Sequence, residues 1–469
     1  MKVIKYMSII SGFRTTLPLL FLSITIPVYA QTPSSSFEAD SLASPVIEIP
    51  VKKRFARAAT SLVLAELIPW SYSKFITHAE FSNISLKTIG HNLKLSSWAW
   101  DDDAFPTNQI DHPYHGSVFF NSFRTNGFTF WQSAPAALVG SYIWETAGEN
   151  QAPSKNDIIN TTFGGITIGE SVHRLTKKIL QTRRRGFRRY INETISLVIN
   201  PTNGFRRIAD GEWGKVPGLS EKLDSTVLLL EAESGIRKMN MRDDQSNFGV
   251  YGRLKLIYGN PFENYKTPFG SFTFNAEVGQ DDSSFVNSVN IVGAINGWLL
   301  NSDKRNRHLM SITSNYDYIN NQSFLFGGQS INLNLFSEFA LSDDTKLKTS
   351  IGMGPILVGA FGEKGIYNNR FYDYGAGGGY NANAEVNVSD KFRFELHYNG
   401  RWLGTLNGNT SSYFSQAIAT ELEYAISKEI SFSTAPSLFL VQENYKNSED
   451  VHKTIPGLKI GFKYRLAYD

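Results

Sequence analysis

The chain has no cysteine among its 469 residues, which excludes disulfides, thiolate metal sites and lipoprotein acylation together. Any chemistry must come from histidine, carboxylate or hydroxyl groups. Charge of a single sign is also missing. The 46 Lys+Arg against 43 Asp+Glu leave a formal net charge of +3, unlike the strongly basic domain of a nucleic-acid binder, so no nucleic-acid partner is expected. After residue 30, no stretch supplies the roughly 18 uninterrupted apolar residues that a membrane helix needs. Only strands could cross a bilayer.

The sequence does contain the marks of an exported strand protein. Lys2, Lys5 and Arg14 precede an apolar run from Leu17 to Val28, and Val28-Tyr29-Ala30 is a small-x-small site, so residues 1–30 read as a signal peptide. Residues 31–52 are rich in Ser, Pro and Glu without a period and read as a flexible leader. From Arg54 to about Phe75 an apolar stripe of Ala58, Leu62, Leu64 and Ile68, with Pro69 as a stop, reads as a helix. Residues 53–205 as a whole read as a helical domain. It includes short buried helices such as Pro135–Glu145 and ends in the turn-rich Asn200–Phe205.

From residue 219 to 469 the period falls to two. Strands are expected near 224–235, 247–258, 269–279, 287–300, 307–318, 330–341, 345–359, 371–388, 391–403, 413–426, 428–441 and 455–468. That makes about 12, an even number, as a single-chain barrel requires. In the last strand Leu458, Ile460, Phe462 and Tyr464 alternate with Lys459, Gly461, Lys463 and Arg465. A face of this kind fits a wall with lipid outside and water inside, and it fits a terminal strand read by a barrel-assembly machinery. Glu277, Glu338, Glu385, Arg393, Glu395, His397, Glu421 and Glu423 fall on the same inward set as Lys459, Lys463 and Arg465. Both signs are present, which suits a lumen closed by internal ion pairs or by a plug better than a single-sign selectivity ring. The expected fold is a mainly β, transmembrane antiparallel barrel of about 12 strands. A small helical plug or periplasmic domain precedes it. Long outer connections are expected at Ile236–Ser246, Asn320–Gln329, Phe361–Arg370, Gly404–Ser412 and Gln442–Thr454, and short ones at Ser342–Asp344, Ser389–Asp390 and Ser427–Lys428. The connection at Gly259–Pro268 is too long for that rule and puts one early strand boundary in question.

The polar groups cluster in the helical domain. They run through Trp98–Phe105, Asn108–Gly116, Arg124–Gly127, Ser141–Glu149, Pro153–Asp157 and Phe163–Arg174. Over residues 90–190 this order resembles a domain family of unknown function that precedes outer-membrane barrels in Bacteroidetes-type bacteria, a resemblance that lends no activity. More distantly, an Asp/His element, a Ser-x-x-x-Glu element and an Asp before a Gly-rich helix are similar to VanZ-like envelope domains, without the basic residue those carry beside the first Asp. Read physically, His112 with His115, Glu145 with Glu149, and Glu170 with His173 each share a helical face, although Pro113 interrupts the first pair. Glu-x-x-His occurs once, whereas a carboxylate-bridged metal bundle needs two copies, so no metal is assigned and no cofactor is specified.

Two functional classes follow. In one, Asp111, His115, Glu145 and Asp157 carry acid–base chemistry on an envelope lipid, with His112, Glu149, Glu170 and His173 completing one polar cluster. In the other, the barrel is a non-catalytic channel, transport or structural protein, and the cluster only docks the plug. Gly165 and Gly169 read as a packing surface. Arg183, Arg184, Arg185, Arg188 and Arg189 read as a lipid-headgroup contact at the periplasmic mouth.

Overall fold

The computed structural model describes residues 52–468 apart from 219–224, 241–247, 281–283, 304, 323, 343–344, 363–366, 368–369 and 390. The expected signal peptide and all of the leader except Lys52 lie outside the described residues.

Twelve antiparallel strands close into one barrel. They are β1 (Leu228–Lys238), β2 (Gly249–Tyr258), β3 (Phe272–Gly279), β4 (Val286–Ser302), β5 (Asn306–Asn320), β6 (Leu325–Ala340), β7 (Thr345–Phe361), β8 (Asp373–Val388), β9 (Phe392–Asn407), β10 (Thr410–Ala425), β11 (Ile430–Tyr445) and β12 (Val451–Tyr468). Each matches an expected strand to within a few residues. The last strand pairs with the first, Phe462 opposite Ser234 and Tyr464 opposite Ala232, so no strand edge is left unpaired.

Ion pairs between strands that are not neighbours identify the inward face. Arg253 of β2 meets Glu421 of β10 at 2.8 Å, Lys255 of β2 meets Glu395 of β9 at 3.6 Å, and Arg393 of β9 meets Glu231 of β1 at 3.1 Å. Arg401 of β9 reaches Asp317 of β5 at 3.4 Å, and Lys459 of β12 reaches Glu277 of β3. These residues therefore face the lumen. By strict alternation Leu228, Leu256, Tyr258, Phe272, Ser314, Tyr316 and Tyr318 face outward.

Several connections differ from the reading above. Strand β6 starts at Leu325, β9 and β10 are joined through Gly408 and Asn409, and β11 continues to Tyr445. Three connections expected to be long are therefore short. Gly327, Gly328 and Gln329 read as loop residues because they are glycines and a polar amide, yet they are strand residues covered by protein. A Cβ at Gly327 would meet the side chain of Gln109 at 2.7 Å. The connection from Gly259 to Ser271 is long after all, and its Phe269 is fully buried.

The helical region comprises α1 (Phe55–Phe75), α2 (Leu86–Asn92), α3 (His112–Arg124), α4 (Phe130–Ile143), α5 (Lys155–Ile159), α6 (Gly165–Gln181), α7 (Phe187–Ile199) and α8 (Pro201–Ala209). Pro69 does not end α1, which runs on to Phe75. The expected turn at Asn200–Phe205 is instead a helix start, because the Asn200 side chain caps the Asn203 N–H at 3.1 Å and Pro201 needs no hydrogen bond in the first turn. Single π-helical turns at Thr107–Asp111, Trp144–Gly148 and Asn160–Gly164 adjoin α3, α4 and α6.

In the contacts that follow, the helices meet the outward face of the wall, which departs from the expected plug in the lumen. Thr167 and Ser314 hydroxyls are 2.6 Å apart, Tyr316 donates to the Gln109 carbonyl, and Asn108 Nδ2 donates to Tyr372 and Tyr374 at 2.7 and 2.8 Å. At the rim where β1 begins and β12 ends, Phe120, Phe130 and Ala137 pack with Leu228, Leu256, Tyr258, Phe269 and Phe272. At the opposite rim Phe105 packs with Tyr318, Tyr372 and Tyr374. Inside the barrel a cavity of 610 Å³ is lined by barrel residues, among them Arg253, Asn332, Asn334, Glu395 and Arg401.

Candidate functional site

Three helical segments bring one imidazole and two carboxylates together against the barrel wall. His112 opens α3 directly after a π-helical turn, and its Nε2 lies 3.8 Å from Asp157 Oδ2. Glu145 sits in the π-helical turn after α4 and is 1% exposed. The donor atoms of His112, Glu145 and Asp157 all lie within 4.8 Å of one another.

Local backbone and barrel groups hold these side chains in place. Asp157 belongs to the first turn of α5, where its N–H donates to the capping Ser154 hydroxyl at 3.1 Å. The Ser154 N–H in turn donates to Glu145 Oε2 at 2.6 Å. Asn156 Nδ2 donates to Asp157 Oδ1 at 2.7 Å and to the Tyr374 hydroxyl at 2.8 Å, while its Oδ1 accepts the Asp101 N–H at 2.9 Å. Tyr372 closes the ring by donating to the Asp103 carbonyl at 2.8 Å. Wall tyrosines therefore help to build the site, although nothing in the β periodicity marks Tyr372, Tyr374 or Asn156 for this role.

Burial dominates the electrostatics. Desolvation, reinforced by neighbouring carboxylates, raises Glu145, Glu149 and Asp157 well above the ordinary carboxyl range. Asp103 rises to about 7, first through burial and then through Asp101. Asp101, Asp103, Glu145, Glu149 and Asp157 act on one another, an excess of acids that protons or a cation must balance. An imidazole with two carboxylates is a donor set that suits a divalent metal such as Zn²⁺ or Mn²⁺. The same groups can also exchange protons with a bound molecule, since a carboxyl near neutral pKa can act as a general acid. The spacing argument misses this set because its members come from three separate segments.

Other expected members lie elsewhere. His115 is held by other partners: its Nε2 is 3.1 Å from the Ala65 carbonyl, and its ring packs between Phe119 and Trp144, with ring centroids 4.2 and 4.9 Å away. Burial lowers it to about 4. It is a helix-docking residue, and Asp111 is exposed. Glu170 forms a second centre, bonded to Arg124 at 2.8 and 3.1 Å and to Arg174 at 2.9 Å. His173 lies near these arginines, its pKa lowered by burial and by their charge. The single cluster expected above is thus two. Gly165 and Gly169 do serve close packing, with a Cβ at Gly169 meeting Phe120 at 2.7 Å. Arg189 is 2% exposed and bonded to Glu193 at 2.9 Å, so it holds α7 instead of a lipid headgroup. Arg183, Arg185 and Arg188 are exposed, and Arg184 is half-buried.

Residues 97–202 match a domain of unknown function, DUF3943. No curated protein matches the chain. Among solved structures, the chain is similar to the NanC porin at 10% identity, covering 50% of this chain and 100% of that one with a TM-score of 0.30. It is similar to an outer membrane channel from Pseudomonas putida F1 at 9% identity, covering 53% and 99% with a TM-score of 0.29. OmpT of Vibrio cholerae matches at 9% identity, covering 52% and 99% with a TM-score of 0.26.

Proposed function

We propose that the protein is an outer-membrane barrel carrying its helical domain on the lipid side of its wall, and that the His112–Glu145–Asp157 centre modifies or handles an envelope lipid by acid–base chemistry. One observation supports this most strongly: Asn156 links the Asp157 carboxylate to the Tyr374 hydroxyl on the outward face of the wall, which favours approach of a molecule from the bilayer over approach from the lumen. Glu145, with its raised pKa, acts as the proton donor; the His112–Asp157 pair accepts and returns the proton. If both chain termini are periplasmic, as in barrels of this kind, the rim at Tyr374 meets the outer leaflet. The lipids of that leaflet are then the substrate class.

A channel is the weaker reading. Among the described residues the lumen is bridged by Arg253–Glu421, Lys255–Glu395 and Arg393–Glu231 near the termini. At the other rim Phe324, Phe326, Phe361, Leu403 and Tyr413 form an apolar layer. The proposal is tested by mass spectrometry of outer-membrane lipids from cells with the wild-type gene, a deletion, or Glu145→Gln and Asp157→Asn variants. A lipid species that differs in the deletion and in both variants is expected. Identical lipids in all four strains would refute the reading.

A further inference from the structure

The helices show an apolar surface that water should not face. On α1, Leu62 and Ala65 are buried against Phe119 of α3, while Leu64, Leu67 and Ile68 on the other side are 48%, 48% and 61% exposed. The stretch Phe130–Ile143 that forms α4 has no charged residue, and it leaves Trp131 and Val139 63% and 47% exposed. Patches of this kind on soluble domains mark a partner.

Continuity with the barrel identifies that partner. Helix α4 is fixed to the outward wall, the Phe130 ring centroid lying 6.0 Å from that of Phe269. Around the rest of the circumference the same outward face forms an exposed apolar belt that includes Ile351, Met353, Phe394 and Phe462. A barrel belt of this composition borders acyl chains. A domain attached to that belt, at that level, must either displace lipid with an apolar face or strand its own polar groups in hydrocarbon. The exposed faces of α1 and α4 are of the first kind, and the Asp157 and Glu145 carboxylates beside them bond to protein groups.

We infer that the helical domain is immersed in the bilayer beside the barrel, with lipid acyl chains covering the exposed faces of α1 and α4. This rests on the reading of the barrel as an outer-membrane protein. The absence of cysteine makes the test clean, because single cysteines can be labelled without background. Full-length Leu67→Cys, Val139→Cys, Met353→Cys and Lys446→Cys variants carry an environment-sensitive fluorophore in phosphatidylcholine vesicles. Nitroxide-labelled acyl chains and aqueous iodide serve as alternative quenchers. Positions 67 and 139 are expected to lose fluorescence to the acyl-chain nitroxide as position 353 does, while position 446 responds to iodide. Iodide quenching at 67 and 139 with lipid quenching at 353 would overturn the inference and leave the barrel reading intact. Shielding of 67 and 139 from both quenchers would show a protein partner there, also overturning it. Loss of lipid quenching at 353 would overturn both readings.

Discussion

The Asn156 amide bridges the Asp157 carboxylate, at 2.7 Å, and the Tyr374 hydroxyl on the barrel wall, at 2.8 Å. This contact makes the barrel part of the candidate site. The helices supply the acids and the imidazole, and an outward-facing tyrosine sets the angle at which one acid is presented. A strand wall is a stiffer support than a loop, which suits a centre whose groups must be held to fractions of an ångström.

Removing that support should weaken the site without unfolding it. Tyr374→Phe leaves the donors of Asn108 and Asn156 short of one acceptor, at a cost of about 1–3 kcal/mol. Insertion of the barrel, followed as heat-modifiable mobility, should be unchanged, while lipid conversion falls by about tenfold or more.

The two charged centres should respond in opposite ways to neutralisation. Glu170→Ala removes the carboxylate that bonds both Arg124 and Arg174, each only 8% exposed, and should destabilise the helical domain by about 3–5 kcal/mol. Glu145→Gln removes a carboxyl that its neighbours repel, so stability should be kept or raised. Limited proteolysis of the helices in detergent, compared across the two variants, checks both signs.

His115 should prove structural. Its pKa is lowered in the folded chain to about 4 from 6.5, so the unfolded state takes up the proton first as pH falls. Stability from the neutral imidazole is therefore complete above about pH 6.5 and is lost as pH drops towards 4. His115→Gln should flatten that acid dependence in a protease-resistance profile and keep lipid activity, whereas His112→Ala should abolish activity.

The lumen should not conduct. In a planar bilayer the wild type should give no steady open level, because the ion pairs and the aromatic layer close it in series. Replacing Phe326, Phe361 and Tyr413 by alanine removes the aromatic layer and should yield no more than brief openings while Arg393 and Glu231 still meet.

The barrel is legible in the sequence because lipid on one side and ion pairs on the other impose a period of two on every strand. Lys463 and Arg465 announce the lumen, and Phe462 and Tyr464 the lipid. The docking wall is not legible. Ser314, Gln329 and Tyr316 are polar or polar-tipped where lipid-facing residues are expected, since they meet helices instead, and Gly327 reads as loop for the same reason. The site is partly legible. His112, Glu145 and Asp157 stand out as ligand-type groups, but helical spacing pairs His112 with His115 and Glu170 with His173. The π-helical turns beside α3 and α4 and the capped start of α5 reset the phase between segments, so contacts between segments cannot be counted along one helix.

The most direct test of the account is conversion of lipid by the purified protein. Wild-type chain is reconstituted with extracted outer-membrane lipids, and their masses are followed over time beside an Asp157→Asn variant that inserts equally well. The account predicts a time-dependent mass change in one lipid class with the wild type, reduced by about 10²-fold or more in the variant. No change with the wild type, or equal conversion by both, would contradict it.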